Sequence, residues 1–348
     1  MGDSLYQIVI GIELSIRIGV IGTGYMGKNH VRVFSELTGV KLVAITDIDE
    51  RIVKLLSEKY GVRGYSDYMT MYETEELDAV SIAVPTSQHM KVVLDSFEYV
   101  KNVFVEKPIA ANLVESQNIV DEVNKRNTIF MVGHIERFNP AVLKLKELLK
   151  NDHLGRVVTL TALRVGPYED RVRDAGVIVD NAIHDIDVMR FLIEKPVKLV
   201  YARMGSRKTR FDDYSTIVLE FEEDIIGNVV ANRLTPTKIR TLKVTCEEGF
   251  ALVDYITQEL AIYGPVLDTH YQDYEELISK FGKPEVGKPR VDRQEPLKLE
   301  LQHFIECVKT ESTPIVDACE GHENLEIATK ALESAKHDKI FHIPTKKK

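Results

Sequence analysis

Only three cysteines occur in the 348 residues, Cys246, Cys307 and Cys319, and no two of them form a C-x-x-C pair. An odd, scattered set of thiols excludes a disulfide framework and a thiolate zinc centre, and reads as reduced, mostly buried cysteine in an intracellular, cytoplasmic protein. The ten histidines also lack ligand spacing such as His-x-x-x-His, so no metal is expected. No basic run opens the chain, and the apolar stretch within Met1–Ser15 is short and is followed by Glu13. This argues against a secretory signal and against a membrane span. Residues 1–14 read as an N-terminal extension, either disordered or forming an extra edge strand. Positive charge is not in excess, with 45 Lys and Arg against 54 Asp and Glu and a net charge of −9. A general nucleic-acid binder is thereby disfavoured, whereas small anionic ligands remain compatible, because helix ends and a few arginines act locally. Internal repeats and low-complexity blocks are missing too. What remains is a soluble globular composition, 44% hydrophobic and 28% charged, long enough for two domains with separate cores.

The most informative passage is Ile16 to Gly27. An apolar run leads directly into G-x-G-x-x-G at Gly22, Gly24 and Gly27, and a helical pattern follows. In that context the glycines predict a dinucleotide site that includes Tyr25 and Met26. Gly22 permits the strand-to-helix turn, Gly24 lets the backbone approach a pyrophosphate, and Gly27 lets the helix pack closely on the strand. Exposed N–H groups at the helix start then hold the phosphates. The next apolar run, Val40–Thr46, ends at Asp47, where an acid binds ribose hydroxyls. A carboxylate there repels a 2′-phosphate and no arginine adjoins it, so NAD is expected rather than NADP. Asp49 is assigned the cap of the following helix.

Further along, helical patterns at Arg51–Tyr60, His89–Phe97 and Asn112–Arg126 alternate with buried-strand runs at Asp78–Val84, Asn102–Val105 and Asn127–Val132. Repeated β-α-β units predict a doubly wound parallel sheet over residues 15–135. Beyond Pro140 the pattern changes. A helix at Ala141–Lys150 precedes strands at Arg156–Val165, Val197–Met204, Tyr214–Phe221, Asn228–Leu234, Leu242–Cys246, Ala251–Tyr255 and Leu260–Ile262, with one helix near Val179–Ile193. Residues 136–348 thus read as an α+β domain built on a large, mostly antiparallel sheet. Pro284–Pro296 reads as a mobile connection to two closing helices, Leu297–Lys309 and His322–Ala335, the last expected to pack back on the first domain.

Ligands bind at the carboxyl ends of parallel strands. The residues that follow those strands are Pro85, Thr86 and His89; Glu106, Lys107 and Pro108; and Gly133 and His134. With the glycine loop and Asp180-Asn181-Ala182-Ile183-His184-Asp185, they resemble the Gfo/Idh/MocA oxidoreductases, which act on sugars, inositols and related polyols. The resemblance covers nearly the whole chain. It implies an NAD-dependent dehydrogenase with Lys107, Asp180 and His184 as its catalytic group. Asp180 and His184, four residues apart, share one face of a helix. Histidine suits removal of the hydroxyl proton, either alone or with Lys107 sharing the role, and a lysine cation suits a developing alkoxide. The resemblance also places Glu106 near the nicotinamide ribose and His134 and Arg137 toward substrate. For the Glu136–Pro140 segment, capping of the next helix is an equal reading.

Gly133–Pro140, Leu234–Arg240 and Val253–Tyr255 look like the branch that oxidises UDP-N-acetylglucosamine at its 3-hydroxyl, departing from it at Arg233. Arg164, Arg171, Arg173, Arg233, Lys238 and Arg240 are candidate diphosphate contacts. An inositol or glucose dehydrogenase, or a non-catalytic NAD-binding sensor, are the alternatives. The open face of the second sheet needs covering; members of the family it resembles cover it by pairing subunits, so the resemblance implies a homodimer or homotetramer.

Overall fold

The computed structural model describes residues 15–168, 175–264, 273, 275–276 and 286–344. The extension 1–14, Arg171, Arg173, the first residues of the 284–296 connection and the lysine tail lie outside the described residues.

Six short strands form the first sheet: β1 (Ile16–Ile21), β2 (Val40–Thr46), β3 (Arg63–Tyr65), β4 (Ala79–Ile82), β5 (Asn102–Glu106) and β6 (Ile129–Gly133). They pair in the order β3-β2-β1-β4-β5-β6, and every pairing is parallel. Each residue of β4, β5 and β6 is buried, as a sheet covered on both faces requires. The helices between them are α1 (Tyr25–Glu36), α2 (Glu50–Tyr60), α3 (Tyr68–Thr74), α4 (His89–Ser96) and α5 (Leu113–Asn124). Asp49 caps α2 by accepting from Arg51 N, and Gly61 closes that helix at φ +65. β3 and α3 escape the sequence reading. The three strand residues are Arg-Gly-Tyr, with no apolar run to announce them. The strand order reverses between β1 and β4, and the crevice above that point receives ligands in such sheets.

The second domain opens with α6 (Pro140–Lys150), which Asn139 caps through Ala141 N. Its sheet contains β7 (Val157–Val165), β8 (Val197–Gly205), β9 (Tyr214–Phe221), β10 (Ile226–Asn232), β11 (Ile239–Cys246), β12 (Phe250–Asp254), β13 (Glu259–Tyr263), β14 (Val286–Gly287) and β15 (Phe341–His342). The order is β14-β13-β12-β11-β7-β10-β9-β8-β15; β10 and β7 run parallel and the other pairs are antiparallel. Alternation is clear on β9, where Ser215, Ile217, Leu219 and Phe221 are buried and the residues between them are not. α7 (Ile183–Ile193) packs beneath this sheet, and α6 joins the same core through Ala141, Val142 and Leu145.

The two closing helices redistribute the core. α8 (Pro296–Thr310) sends Leu297, Leu301, Phe304 and Ile305 into the first domain's core, with Phe304 against Phe104 at 5.7 Å between ring centroids. It therefore packs with residues 15–135, although it follows the second sheet in sequence. Periodicity shows that a helix has an apolar face, not which sheet that face meets. α9 (Ala318–His337) straddles both cores, with Leu325 in the first and Ile327, Ala328 and Ala331 in the second. Gly321 permits this, since a Cβ there would lie 2.7 Å from Val132 Cγ2. Among the described residues, no helix is long and apolar enough to cross a membrane.

Candidate active site

The glycine loop shows three different reasons for three glycines. Gly22 sits at φ +84, and a Cβ there would lie 2.7 Å from Ala83 O. A Cβ on Gly27 would lie 1.8 Å from Gly22 O, so the start of α1 touches the strand it follows. At Gly24 nothing lies within 4 Å, so the backbone there faces open space. No side chain caps α1 and no acid occupies its first turn, which leaves its N–H groups and positive dipole end to an incoming anion. Asp47 stands beside the loop. Its carboxylate accepts from Thr23 N at 2.6 Å, Thr23 Oγ1 at 3.1 Å and Asp49 N at 3.0 Å. Tyr25 and Ile48 flank it, 64% and 95% exposed. Met26 is half-buried; Pro85 and Thr86 lead into the short helical turn Thr86–Gln88 at the end of β4.

Lys107 follows β5 directly and precedes a cis peptide bond to Pro108. Its Nζ donates to Asp180 Oδ1 at 2.9 Å and to the Asp180 carbonyl at 2.7 Å, joining the two domains. Asp180 lies in a π-helical turn, Ile178–Ala182, that runs straight into α7. The regular helix expected over this stretch is therefore wider where Asp180 sits, a common device at functional sites. Asp212 holds the entry to this turn, its Oδ2 accepting from Ile178 N at 2.8 Å and its carbonyl from Val177 N at 2.9 Å. His184 lies in the first turn of α7, with a buried Nδ1 that has no hydrogen-bond partner. Burial first, then the charges of Lys107 and Arg164, hold its pKa well below 6.5, so the ring stands neutral with a lone pair available. An ammonium, a carboxylate and a neutral imidazole thus gather at the carboxyl end of β5. Together they can orient a hydroxyl and accept its proton.

Other residues assigned to ligands turn out to be structural. His89 is buried, with Nδ1 2.8 Å from Pro108 O and Nε2 3.0 Å from Val84 O. It ties the end of β4 to the segment after Lys107. His134 is fully buried between Asp187 and Asn324, 3.7 and 3.4 Å away, and burial lowers its pKa to about 4. Its side chain has no exposed surface. Arg137 likewise faces inward. Its Nε donates to Asp187 Oδ1 at 2.8 Å, its Nη1 to Ile315 O at 2.8 Å, and its Nη2 to Glu320. Arg164 is clamped by Asp185 at 2.6 Å and Glu136 at 2.9 Å. Burying a charge requires a partner at bonding distance, and these arginines have theirs already.

Glu106 points into the first domain rather than out of it. Its Oε1 meets His30 Nε2 at 3.0 Å, and His30 Nδ1 meets Ser81 Oγ at 2.8 Å. Burial alone would raise the Glu106 pKa, but the contact with His30 outweighs it and leaves the carboxyl below its ordinary value. His30 is silent in the sequence, since a lone histidine inside a helix carries no signal. Glu300 on α8 is equally silent there. Both its oxygens are buried without partners, and burial, together with the charges of Glu106 and Asp187, pushes its pKa well above 4.5.

The chain matches the family model described as "Oxidoreductase family, NAD-binding Rossmann fold" over residues 16–134 and the one described as "Oxidoreductase family, C-terminal alpha/beta domain" over residues 146–343. Scyllo-inositol 2-dehydrogenase (NAD(+)) of Bacillus subtilis is 26% identical over 337 residues, covering 93% of this chain and 95% of that protein. UDP-N-acetylglucosamine 3-dehydrogenase of Acidithiobacillus ferrooxidans is 24% identical over 317 residues, covering 90% and 96%. The solved structure of the enzyme of that name and organism, GnnA, superposes with a TM-score of 0.82 at 22% identity over 93% of this chain and 98% of the other, a likeness of fold. With both of its domains matched, the chain belongs to the Gfo/Idh/MocA family of oxidoreductases, with an NAD-binding Rossmann first domain and a C-terminal α/β domain.

Proposed function

We propose that this protein is an NAD-dependent dehydrogenase that oxidises a secondary hydroxyl of a nucleotide sugar to a ketone, with UDP-N-acetylglucosamine, at its 3-hydroxyl, as the substrate of first choice. The observation that carries the reading is the Lys107–Asp180 ion pair, made between the two domains beside a neutral His184. The loop around Gly24 and the start of α1 would hold the cofactor's pyrophosphate, and Asp47 its ribose hydroxyls; the carboxylate there favours NAD over NADP. When bound, NAD would supply the hydride acceptor. Lys107 orients the substrate hydroxyl and stabilises the alkoxide that develops as the C–H bond weakens. His184 takes the hydroxyl proton. Asp180 fixes the ammonium and offers a carboxylate to a neighbouring hydroxyl. A sensor without catalysis has no need of this set.

The second reading is an inositol or simple sugar dehydrogenase, favoured by the inositol dehydrogenases among its relatives. The test is formation of NADH, followed by its absorbance, with UDP-N-acetylglucosamine, myo-inositol, scyllo-inositol and glucose offered separately. The nucleotide sugar should give the highest kcat/KM. Turnover with inositols alone would transfer the protein to the second reading, and hydride transfer with none of them would leave the sensor.

The glycines give a sharper local expectation. Gly24→Ala adds a methyl into open space, so thermal stability should hold while NADH binding weakens about tenfold, the methyl crowding the ligand as overpacking does. Gly27→Ala drives a methyl into Gly22 O and should lower thermal stability as well. Equal effects of both substitutions on unfolding temperature would contradict this division.

A further inference from the structure

A pocket opens on the second domain beside Asp180, lined by four cationic side chains, Arg164, Arg233, Lys238 and Arg240, and a single carboxylate, Asp180 itself. Their surroundings differ. Arg164 is neutralised from behind by Asp185 and Glu136, and Asp180 is held by Lys107. Arg240 lies 3.7 Å from Glu136. Arg233 is 5% exposed; its Nη2 donates to Ala175 O at 2.9 Å, while its Nη1 has no hydrogen-bond partner. A buried donor left unsatisfied costs about 1–3 kcal/mol, more on a charged group. Asn232 shares the lining. Its carbonyl oxygen already accepts from Leu234 N, Thr235 N and Thr235 Oγ1, so it can offer a ligand only its NH₂ end. Donors and positive charge thus outweigh the one acceptor carboxylate here.

We infer that this pocket receives the phosphoryl group of the substrate, with Arg233 as its anchor and Lys238 and Arg240 alongside. The inference rests on the dehydrogenase reading above and deepens it, because a phosphate-bearing sugar seated here lies next to Asp180 and hence to Lys107. Phosphate fits better than carboxylate, since cations and an amide from separate strands and loops present more donors than two carboxylate oxygens use. Binding energy from this remote group then serves to hold the sugar ring over the reacting residues.

The test is calorimetric titration of NADH-loaded protein with inorganic pyrophosphate and with UDP, repeated on Arg233→Gln and Lys238→Gln. Both ligands should bind the parent protein more weakly as salt rises. Each variant should lose roughly tenfold to a hundredfold in affinity, the range expected for a hydrogen bond to a charged group. Unaltered NADH affinity verifies that the variants are folded, and Lys238→Gln serves if Arg233→Gln loosens the turn at Ala175. Absence of pyrophosphate and UDP binding to the parent protein, or variants that bind them as the parent does, would overturn the inference. The two readings fail separately. Pyrophosphate that binds while UDP-N-acetylglucosamine is not oxidised upholds the phosphoryl pocket and points to another phosphorylated sugar. UDP-N-acetylglucosamine oxidised with the same KM by both variants upholds the dehydrogenase and removes the pocket.

Discussion

Lys107→Met should lower kcat by about 10²- to 10³-fold, the loss typical of removing one donor to a developing oxyanion, and leave NADH binding within about twofold. Lys107 Nζ bonds to Asp180 in the other domain, not to the glycine loop, so cofactor affinity and turnover should separate. His184→Asn should cost a similar amount, about 10²- to 10⁴-fold for a general base. The pH profile checks the role of His184. Its active form is the neutral ring, and burial with nearby cations keeps that form as pH falls through 6.5. The acid limb of kcat/KM should therefore lie below pH 6.5, and it should disappear or move in His184→Asn. An acid limb at or above 6.5, or one unmoved by the substitution, removes His184 as the base. Full turnover in both variants would remove the whole site.

Arg137→Met should lower the unfolding temperature by on the order of 5 to 10 °C, the equivalent of the roughly 3–5 kcal/mol lost when one partner of a buried pair is deleted. Arg137 is 3% exposed and joins three elements, reaching Asp187 on α7, the Ile315 carbonyl and Glu320 on α9. Its removal leaves the Asp187 charge in the interior with Asn324 Nδ2, 2.6 Å away, as a neutral donor. Adding Asp187→Leu to Arg137→Met should return much of the lost stability, since an apolar pair of similar volume tolerates burial better than a lone charge. A substrate-binding arginine would behave differently, raising KM with no change in unfolding temperature, and that outcome would restore the expectation the structure replaces.

Legibility varied with the range of the signal. The parallel sheet was readable because its strands are unbroken apolar runs between helices. The roles of Gly22 and Gly27 were readable because backbone sterics leave no other residue. Asp49 was readable as a cap from its place before a helix. Misassignments concentrated on polar residues with buried partners. His89, His134 and Arg137 follow or adjoin strand ends, where ligands bind, yet each turns into the protein. The partners that decide this lie far away in sequence, at Pro108 for His89 and at Asp187 for the other two.

By itself the sequence determined the two-domain order, the dinucleotide loop and the residue types available for hydride transfer, because helix and strand periods, turn sterics and caps are local properties. Only the tertiary structure decided which charges are spent and which are available. Arg164 and Arg137 are consumed by acids across the core, whereas Arg233 keeps an unpartnered donor beside Asp180. Coulombic and hydrogen-bond partners act through space over a few ångströms, and no spacing along the chain records that distance.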